Sequence, residues 1–339
     1  MKVIYYRSPR GNFGDDLNAV MWPELLPPAC FADDDAVLLG IGSIFRDDYL
    51  SPAATARKRV FVLGSGAGTG PLPSRWPNED WSILAVRGPL TAKLIGLPEA
   101  AITDSAALLS TLPRMISRSE GPGGIVFMPH YNSVLHSRWA EICDMAGIDF
   151  VDAHWPVEKV IRRLRGARLV VAEAMHGAIV ADTLRVPWVP VISSPAILPF
   201  KWVDWTRSLD LPYRPHALPP SSAWEALKHM KIRAVDGETG LAGLSEDDQD
   251  ILDDFHRRYG AVSADDLAPK KVIGGAKAKK ARKVTAMFDR LFSERAARAL
   301  VAATQSRPYL SEDRVFAERV GRLQGAVAQL HRALAGTMH

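Results

Sequence analysis

The sequence predicts an α/β protein made of two Rossmann-like domains, followed by a helical C-terminal extension. Three observations carry this. Runs of four to six apolar residues bounded by glycine or aspartate recur through the first two thirds of the chain, as strands buried on both faces of a parallel sheet require. Helical stretches alternate with them, which implies βαβ units and a doubly wound sheet. A polar, glycine-rich stretch, Ser117–Gly124, interrupts the alternation once before it restarts.

In the first domain, residues 1–117, the strands are read at KVIYY, AVLLGIG, RVFVLGSG, SILAVRG and AAITDSAALL, with helices at Asp16–Leu25 and Pro89–Leu94. In the second, residues 118–235, GIVFMPH, DFVDA, ARLVVAEA and PWVPVI are the strands. Ser137–Ala146, Pro156–Leu164 and Gly177–Leu184 are the helices between them. The third region, residues 236–339, has a different texture: an acidic helical face at Glu246–Asp254, a basic linker at Lys270–Lys283, then two stretches of helical periodicity.

A hydrophobic content of 47% is ample for a core of this kind, and 24% charged residues exclude global disorder. The two cysteines, Cys30 and Cys143, lie far apart in no metal-ligand pattern, so a disulfide framework is not expected and a reducing cytoplasm is. The N-terminal apolar run is too short for a signal peptide, and no stretch reaches the roughly 18 apolar residues that span a bilayer. A net charge of +4 gives no footprint for nucleic acid.

Four constellations suit chemistry. The first is Arg10–Asn18, RGNFGDDLN, directly after the first strand. Its glycines, Gly11 and Gly14, let backbone amides approach a ligand, and the following helix presents its N-terminus to an anion. Asp15 and Asp16 are candidates for a catalytic carboxylate or for the helix cap, and Asn12 and Gly14 for substrate contact. The second is a pair of glycine-rich strand ends carrying Gly42, Ser43, Gly64, Ser65 and Gly66, at the position where open α/β sheets bind ligands. The third is Ala85–Thr91, where Arg87 ends a strand before Pro89 starts a helix. An arginine facing the cleft there would take a carboxylate or phosphate bidentately. The fourth is Ala172–Ile179. It places His176, flanked by Glu173 and Gly177, at a strand-to-helix turn from which it can pass a proton to substrate, and His130 occupies an equivalent strand end. No P-loop, HExxH, CxxC or GxSxG pattern occurs, and nothing in the asparagine-aspartate cluster demands a metal.

Taken in order, GNFGDDLN, LGIGS, LGSGAG, VRGPLT, ITDSAALL, MPH and MHGAIVADTLRVPWVPV resemble the polysaccharide pyruvyl transferase family, in particular its rhizobial succinoglycan-type exopolysaccharide enzymes, over roughly residues 1–195. The resemblance implies a glycosyltransferase-B-like arrangement of the two domains. It implies phosphoenolpyruvate as donor, a sugar hydroxyl pair as acceptor, a pyruvate ketal as product and no cofactor. It puts the family's HG histidine on His176 and the arginine of its RGP-type turn on Arg87. Many members carry an arginine two positions before that histidine, where this chain has Ala174; Arg185, Lys201 and Arg207 are candidates to replace it. Rival readings on the same fold are a nucleotide-sugar-dependent glycosyltransferase and a membrane-docked carbohydrate-binding scaffold.

The tail adds an expectation about partners. Lys270, Lys271, Lys277, Lys279, Lys280, Arg282 and Lys283 cluster without acidic neighbours. Met287, Leu291, Phe292, Ala296, Leu300 and Val301 then form one apolar helical face. Together they would hold the protein peripherally at an anionic inner-membrane leaflet, beside a lipid-linked oligosaccharide acceptor. Packing of that face on the core, or pairing of two subunits, is the alternative.

Overall fold

The apolar runs between glycines become short parallel strands in two sheets. The computed structural model describes residues 1–46, 49, 58–73, 76, 80–116, 123–135, 137–236, 245–260 and 286–336. The first sheet is formed by β1 (Lys2–Ile4), β2 (Ala36–Leu39), β3 (Arg59–Leu63) and β4 (Trp81–Ala85), all parallel and in that order. Between β1 and β2 runs α1 (Phe13–Leu25); after β4 comes α2 (Pro89–Leu94), with Pro89 at its first position. Asn18 stitches α1 to the end of β2. Its amide accepts from Ile41 N–H and Trp22 Nε1, each at 2.9 Å, and donates to the Ile41 carbonyl at 2.9 Å.

The second sheet has the order β6-β5-β7-β8-β9: β5 (Ile125–Met128), β6 (Asp149–Phe150), β7 (Leu169–Ala172), β8 (Trp188–Ile192) and β9 (His216–Ala217), again parallel. The helices between them are α3 (Trp139–Ala146), α4 (Val157–Arg165), α5 (Met175–Thr183) and α6 (Pro199–Ser208). Strand order reverses around β5, so a crevice opens at the carboxyl ends of β5 and β7.

Two expectations are corrected here. The first sheet shows no reversal among its described strands, so the doubly wound reading holds for the second half alone. The fifth apolar run of the first half, AAITDSAALL, is no strand of its sheet. It makes one bridge, Ala101 to Val86, and then turns into a 3-10 helix, Ser105–Thr111, capped by Asp104 Oδ1 on Ala106 N–H at 2.9 Å. A capping aspartate one residue beyond Thr103 ends extension before a strand can form.

The described part of the third region is helical and packs on the core. Helix α7 (Ala223–Asp236) closes the second half, and α8 (Asp248–Tyr259) comes first in the third region, its Phe255 lying 4.9 Å from Phe200 of α6. Helix α9 (Asp289–Thr304) buries Ala296 and Leu300 in a cluster with Phe127, Trp139, Val171 and Val189. The chain then pairs with β8 through Tyr309 and Trp188, whose rings stack at 5.1 Å. Helix α10 (Asp313–Ala335) returns to the first half, burying Val320, Leu323 and Leu330, and Arg59 Nη1 donates to its Ala333 carbonyl at 2.9 Å. The single apolar face expected from Met287 to Val301 is therefore divided: Ala296 and Leu300 face protein, Phe292 is half-buried, and Leu291 and Val301, with Met287 just before α9, are exposed. The seven basic residues from Lys270 to Lys283 lie outside the described residues. No helix among the described residues is long and apolar enough to cross a membrane.

Candidate active site

A cavity of about 220 Å³ lies where the carboxyl ends of the two sheets meet. The first half lines it with Tyr6, Asn12, Phe13, Gly14 and Asp15, with Ser43, Ile44 and Arg46 beyond β2, and with Thr69 beyond β3. The second half adds His130, Tyr131 and Asn132 beyond β5, Glu173 to His176 at the β7–α5 turn, and Leu198, Lys201 and Trp202 at the start of α6. The first turns of α1, α5 and α6 thus all border one small space. Each helix N-terminus carries about half a positive charge, so the cavity is built to attract anions.

The two adjacent carboxylates divide their roles. Asp16 Oδ2 accepts from the Asn12 backbone N–H at 2.9 Å, which ties down the entry to α1, and its side chain does not line the cavity. Asp15 does line it, with its carboxylate bonded by the Asn12 side chain. Burial pushes Asp15 up to about 6, against the opposing pull of His176 and Lys201. Of the two sequence candidates, Asp15 is the one placed for acid–base work.

His176 sits in the first turn of α5 with its ring laid against Gly14. A Cβ at Gly14 would lie 2.0 Å from His176 Nδ1, so only glycine allows the imidazole this close to α1. The other ring nitrogen, Nε2, is 3.6 Å from Asp104 Oδ2, and neither of these buried atoms has a hydrogen-bond partner. Asp104 therefore caps with one oxygen and faces the histidine with the other. The signal for this second role is the place of Asp104 at the end of the segment beside β4, facing the β7–α5 turn.

Lys201 lines the cavity as a cation from the second half, and Arg46, whose Nη1 donates to Thr69 Oγ1 at 3.0 Å, as one from the first. Burial, helped by the nearby Arg87 charge, lowers the Lys201 ammonium to about 8, with Asp15 pulling the other way. The other two candidates for the missing arginine at Ala174 are engaged elsewhere. Arg185 bonds Ser311 Oγ at 2.9 Å and pairs with Asp182 and Asp313, while Arg207 pairs with Asp248. His130 also lines the cavity, but burial and the neighbouring positive groups lower it to about 3, so its ring is neutral. Glu173 borders the cavity as a buried clamp. Oε2 accepts from His130 N–H at 3.0 Å, and Oε1 from Ser193 N–H at 2.8 Å, Ser193 Oγ at 2.6 Å and Ser194 N–H at 3.1 Å, which ties the ends of β5, β7 and β8 together.

Arg87 does not face the cleft. It is fully buried, with Nε 3.1 Å from Asp204 Oδ2, Nη1 donating to Ser43 Oγ at 2.8 Å and Nη2 to the Ala67 carbonyl at 2.6 Å. Asp204, on α6, also accepts from Leu90 N–H and Thr91 N–H at 2.9 Å and from Thr91 Oγ1 at 2.6 Å, so it caps α2 from the other half. The expected anion grip is a buried tie between the halves, one bond behind Ser43 and one helical turn from Lys201. The glycine-rich strand ends serve the same wall. A Cβ at Gly66 would lie 2.5 Å from Arg87 Cζ, and Ser65 Oγ bonds the Gly42 carbonyl at 3.0 Å. Of that set only Ser43 lines the cavity; Gly42, Gly64, Ser65 and Gly66 stand behind it, and Gly177 packs on Met128 instead.

Two parallel sheets and three helix N-termini that border one small cavity make this an α/β protein with a candidate site suited to an anion. Residues 2–195 match the model of the polysaccharide pyruvyl transferase family, and the chain belongs to that family. It is 34% identical over 340 residues to the succinoglycan biosynthesis protein ExoV of Rhizobium meliloti (strain 1021), covering 98% of this chain and 99% of that protein. No solved structure matches it.

Proposed function

We propose that the protein moves pyruvate from phosphoenolpyruvate onto a sugar of an exopolysaccharide repeat unit as a ketal, releasing phosphate. The observation that carries this is the enclosure of Asp15, His176 and Lys201 in one cavity of about 220 Å³ beneath three helix N-termini. Phosphoenolpyruvate brings a phosphate and a carboxylate, which Lys201 and the helix N-termini suit. The cavity is below the ~300–1,000 Å³ usual for drug-sized ligands, which favours a compact donor over a nucleotide-sugar.

His176 gives a proton to the methylene carbon, C3, with the Asp104 carboxylate 3.6 Å from its Nε2 to favour the charged imidazole. Positive charge then develops at C2. One sugar hydroxyl attacks C2 as Asp15 takes its proton, forming the first C–O bond. The second hydroxyl forms the second C–O bond as the bond from C2 to the phosphate oxygen breaks. Of the two hydroxyl protons, one balances that placed on C3 and the other leaves on phosphate. The neutral His130 is left to hydrogen-bond substrate, not to donate the proton. No nucleotide or redox cofactor enters the balance.

The exposed Met287 and Leu291, next in sequence to the seven basic residues, support peripheral contact with the inner membrane, where a lipid-linked acceptor on the cytoplasmic side would be met. The test is mass spectrometry of a panel of free and lipid-linked oligosaccharides after incubation with phosphoenolpyruvate, alongside UDP- and GDP-sugars. Pyruvylated product with stoichiometric phosphate is expected. Turnover of a nucleotide-sugar would replace this reading with a glycosyltransferase, and binding without turnover of any donor with a scaffold.

A further inference from the structure

The cavity has a graded wall. Its deep side is buried: Phe13, Gly14, Asp15, Met175 and Trp202 are all closed to solvent. Its outer side is partly open and aromatic. Tyr6, just beyond β1, and Tyr131, just beyond β5, come from opposite halves and bring their ring centroids to 6.4 Å at a 48° tilt, so neither lies flat on the other. His130 packs against Tyr131 at 4.5 Å, and Asn132, next along the chain, is exposed on the same rim.

We propose that this rim is the acceptor subsite, with the ring of Tyr131 as the platform for the accepting sugar and Tyr6 packed beside it to fix its pose. The inference rests on the pyruvyl transfer reading and places its second substrate. Three observations support it. At about 220 Å³ the cavity suits one small anion, and an acceptor that carries further sugars would reach it from the partly open side. The anion-attracting features, the helix N-termini and Lys201, belong to the start of α1, α5 and α6, while the two half-buried tyrosines follow β1 and β5. A sugar ring has an apolar C–H face and a polar edge. A tyrosine at a water boundary matches both, with its ring against the face and its hydroxyl toward the edge. Stacking of this kind is tolerant of which sugar bears the hydroxyl pair, while reach into the cavity selects two hydroxyls held close together.

The test is two-substrate kinetics on wild type, Tyr131→Ala, Tyr131→Phe and Tyr6→Ala, paired with saturation-transfer NMR using methyl hexosides and matching oligosaccharides without donor. The alanine variants are expected to raise acceptor KM by roughly two- to tenfold, the range of an aromatic contact, with donor KM unchanged as the internal check on folding. Tyr131→Phe keeps the ring and is expected to retain most acceptor affinity. In the NMR experiment, transfer to the sugar's C–H protons is expected in wild type and loss of it in Tyr131→Ala. A rise in donor KM with acceptor KM unmoved would overturn the assignment, as would full transfer in Tyr131→Ala. Should wild type release no phosphate from phosphoenolpyruvate with any acceptor, the transfer reading fails on that count, and the NMR arm still decides whether the rim binds sugar.

Discussion

Replacing Asp204 by alanine separates a structural tie from a substrate grip. Both Arg87 and Asp204 have fully buried side chains, and they meet at 3.1 Å. Asp204→Ala strands the guanidinium without its counter-charge and leaves Leu90 N–H, Thr91 N–H and the Thr91 hydroxyl proton without their acceptor. Breaking one partner of a buried pair costs about 3–5 kcal/mol, a large share of the ~5–15 kcal/mol that holds a typical domain. Arg87→Lys keeps the charge but loses the planar fork that reaches Ser43 and Ala67 together, so it too is expected to destabilise. Lys201→Met is the mirror case. Its ammonium has no ion pair or hydrogen bond among the described residues, so stability is expected to hold while donor KM rises roughly ten- to a hundredfold, the worth of a charged hydrogen bond. Equilibrium urea unfolding and steady-state kinetics on the three variants give both readouts. Unchanged unfolding in Asp204→Ala and Arg87→Lys, with a donor KM raised as much as in Lys201→Met, would refute the tie and restore Arg87 as the anion grip.

Three other outcomes follow from the site. Since Asp15 must be ionised to act as base and Lys201 charged to hold the donor, kcat/KM is expected to fall below pH about 6 and above pH about 8; if Lys201→Arg leaves the alkaline limb in place, Lys201 does not set it. Gly14→Ala would put a methyl 2.0 Å from His176 Nδ1, and the displaced imidazole should cost kcat far more than donor KM, which single-turnover phosphate release would show. Flotation with anionic vesicles should recover the full-length protein at low salt, less in Met287→Glu/Leu291→Glu; no difference from neutral vesicles at either salt would end the membrane proposal and favour pairing of subunits.

What the sequence made legible was local. Apolar runs such as Val37–Leu39 and Val60–Leu63, cut off by glycine, are the sheets' buried strands, and the strand-to-helix turns at Asp15 and His176 do meet at one cavity. What it hid depends on distance along the chain. Arg87 looks like a free arginine at a turn because its partner, Asp204, lies 117 residues on, in a helix that carries no motif. The same helix hides Lys201, whose value comes from α6 starting at the cavity. Asp104 is recognisable as a cap, but its second oxygen finds His176 only when the two halves face each other. The apolar face of α9 was ambiguous for the same reason: periodicity marks a face to be covered and cannot tell protein from membrane.

The central claim is that His176 places the proton that opens phosphoenolpyruvate to attack by a sugar. Incubating wild type and His176→Ala with phosphoenolpyruvate and an oligosaccharide acceptor in deuterated water, and weighing the product by mass spectrometry, tests it directly. Wild type should yield a pyruvate ketal carrying one solvent deuterium in its methyl group, with one phosphate released, and His176→Ala should be slower by about 10²–10⁴-fold while folding normally. A folded His176→Ala variant that forms the deuterated ketal at the wild-type rate would contradict the account.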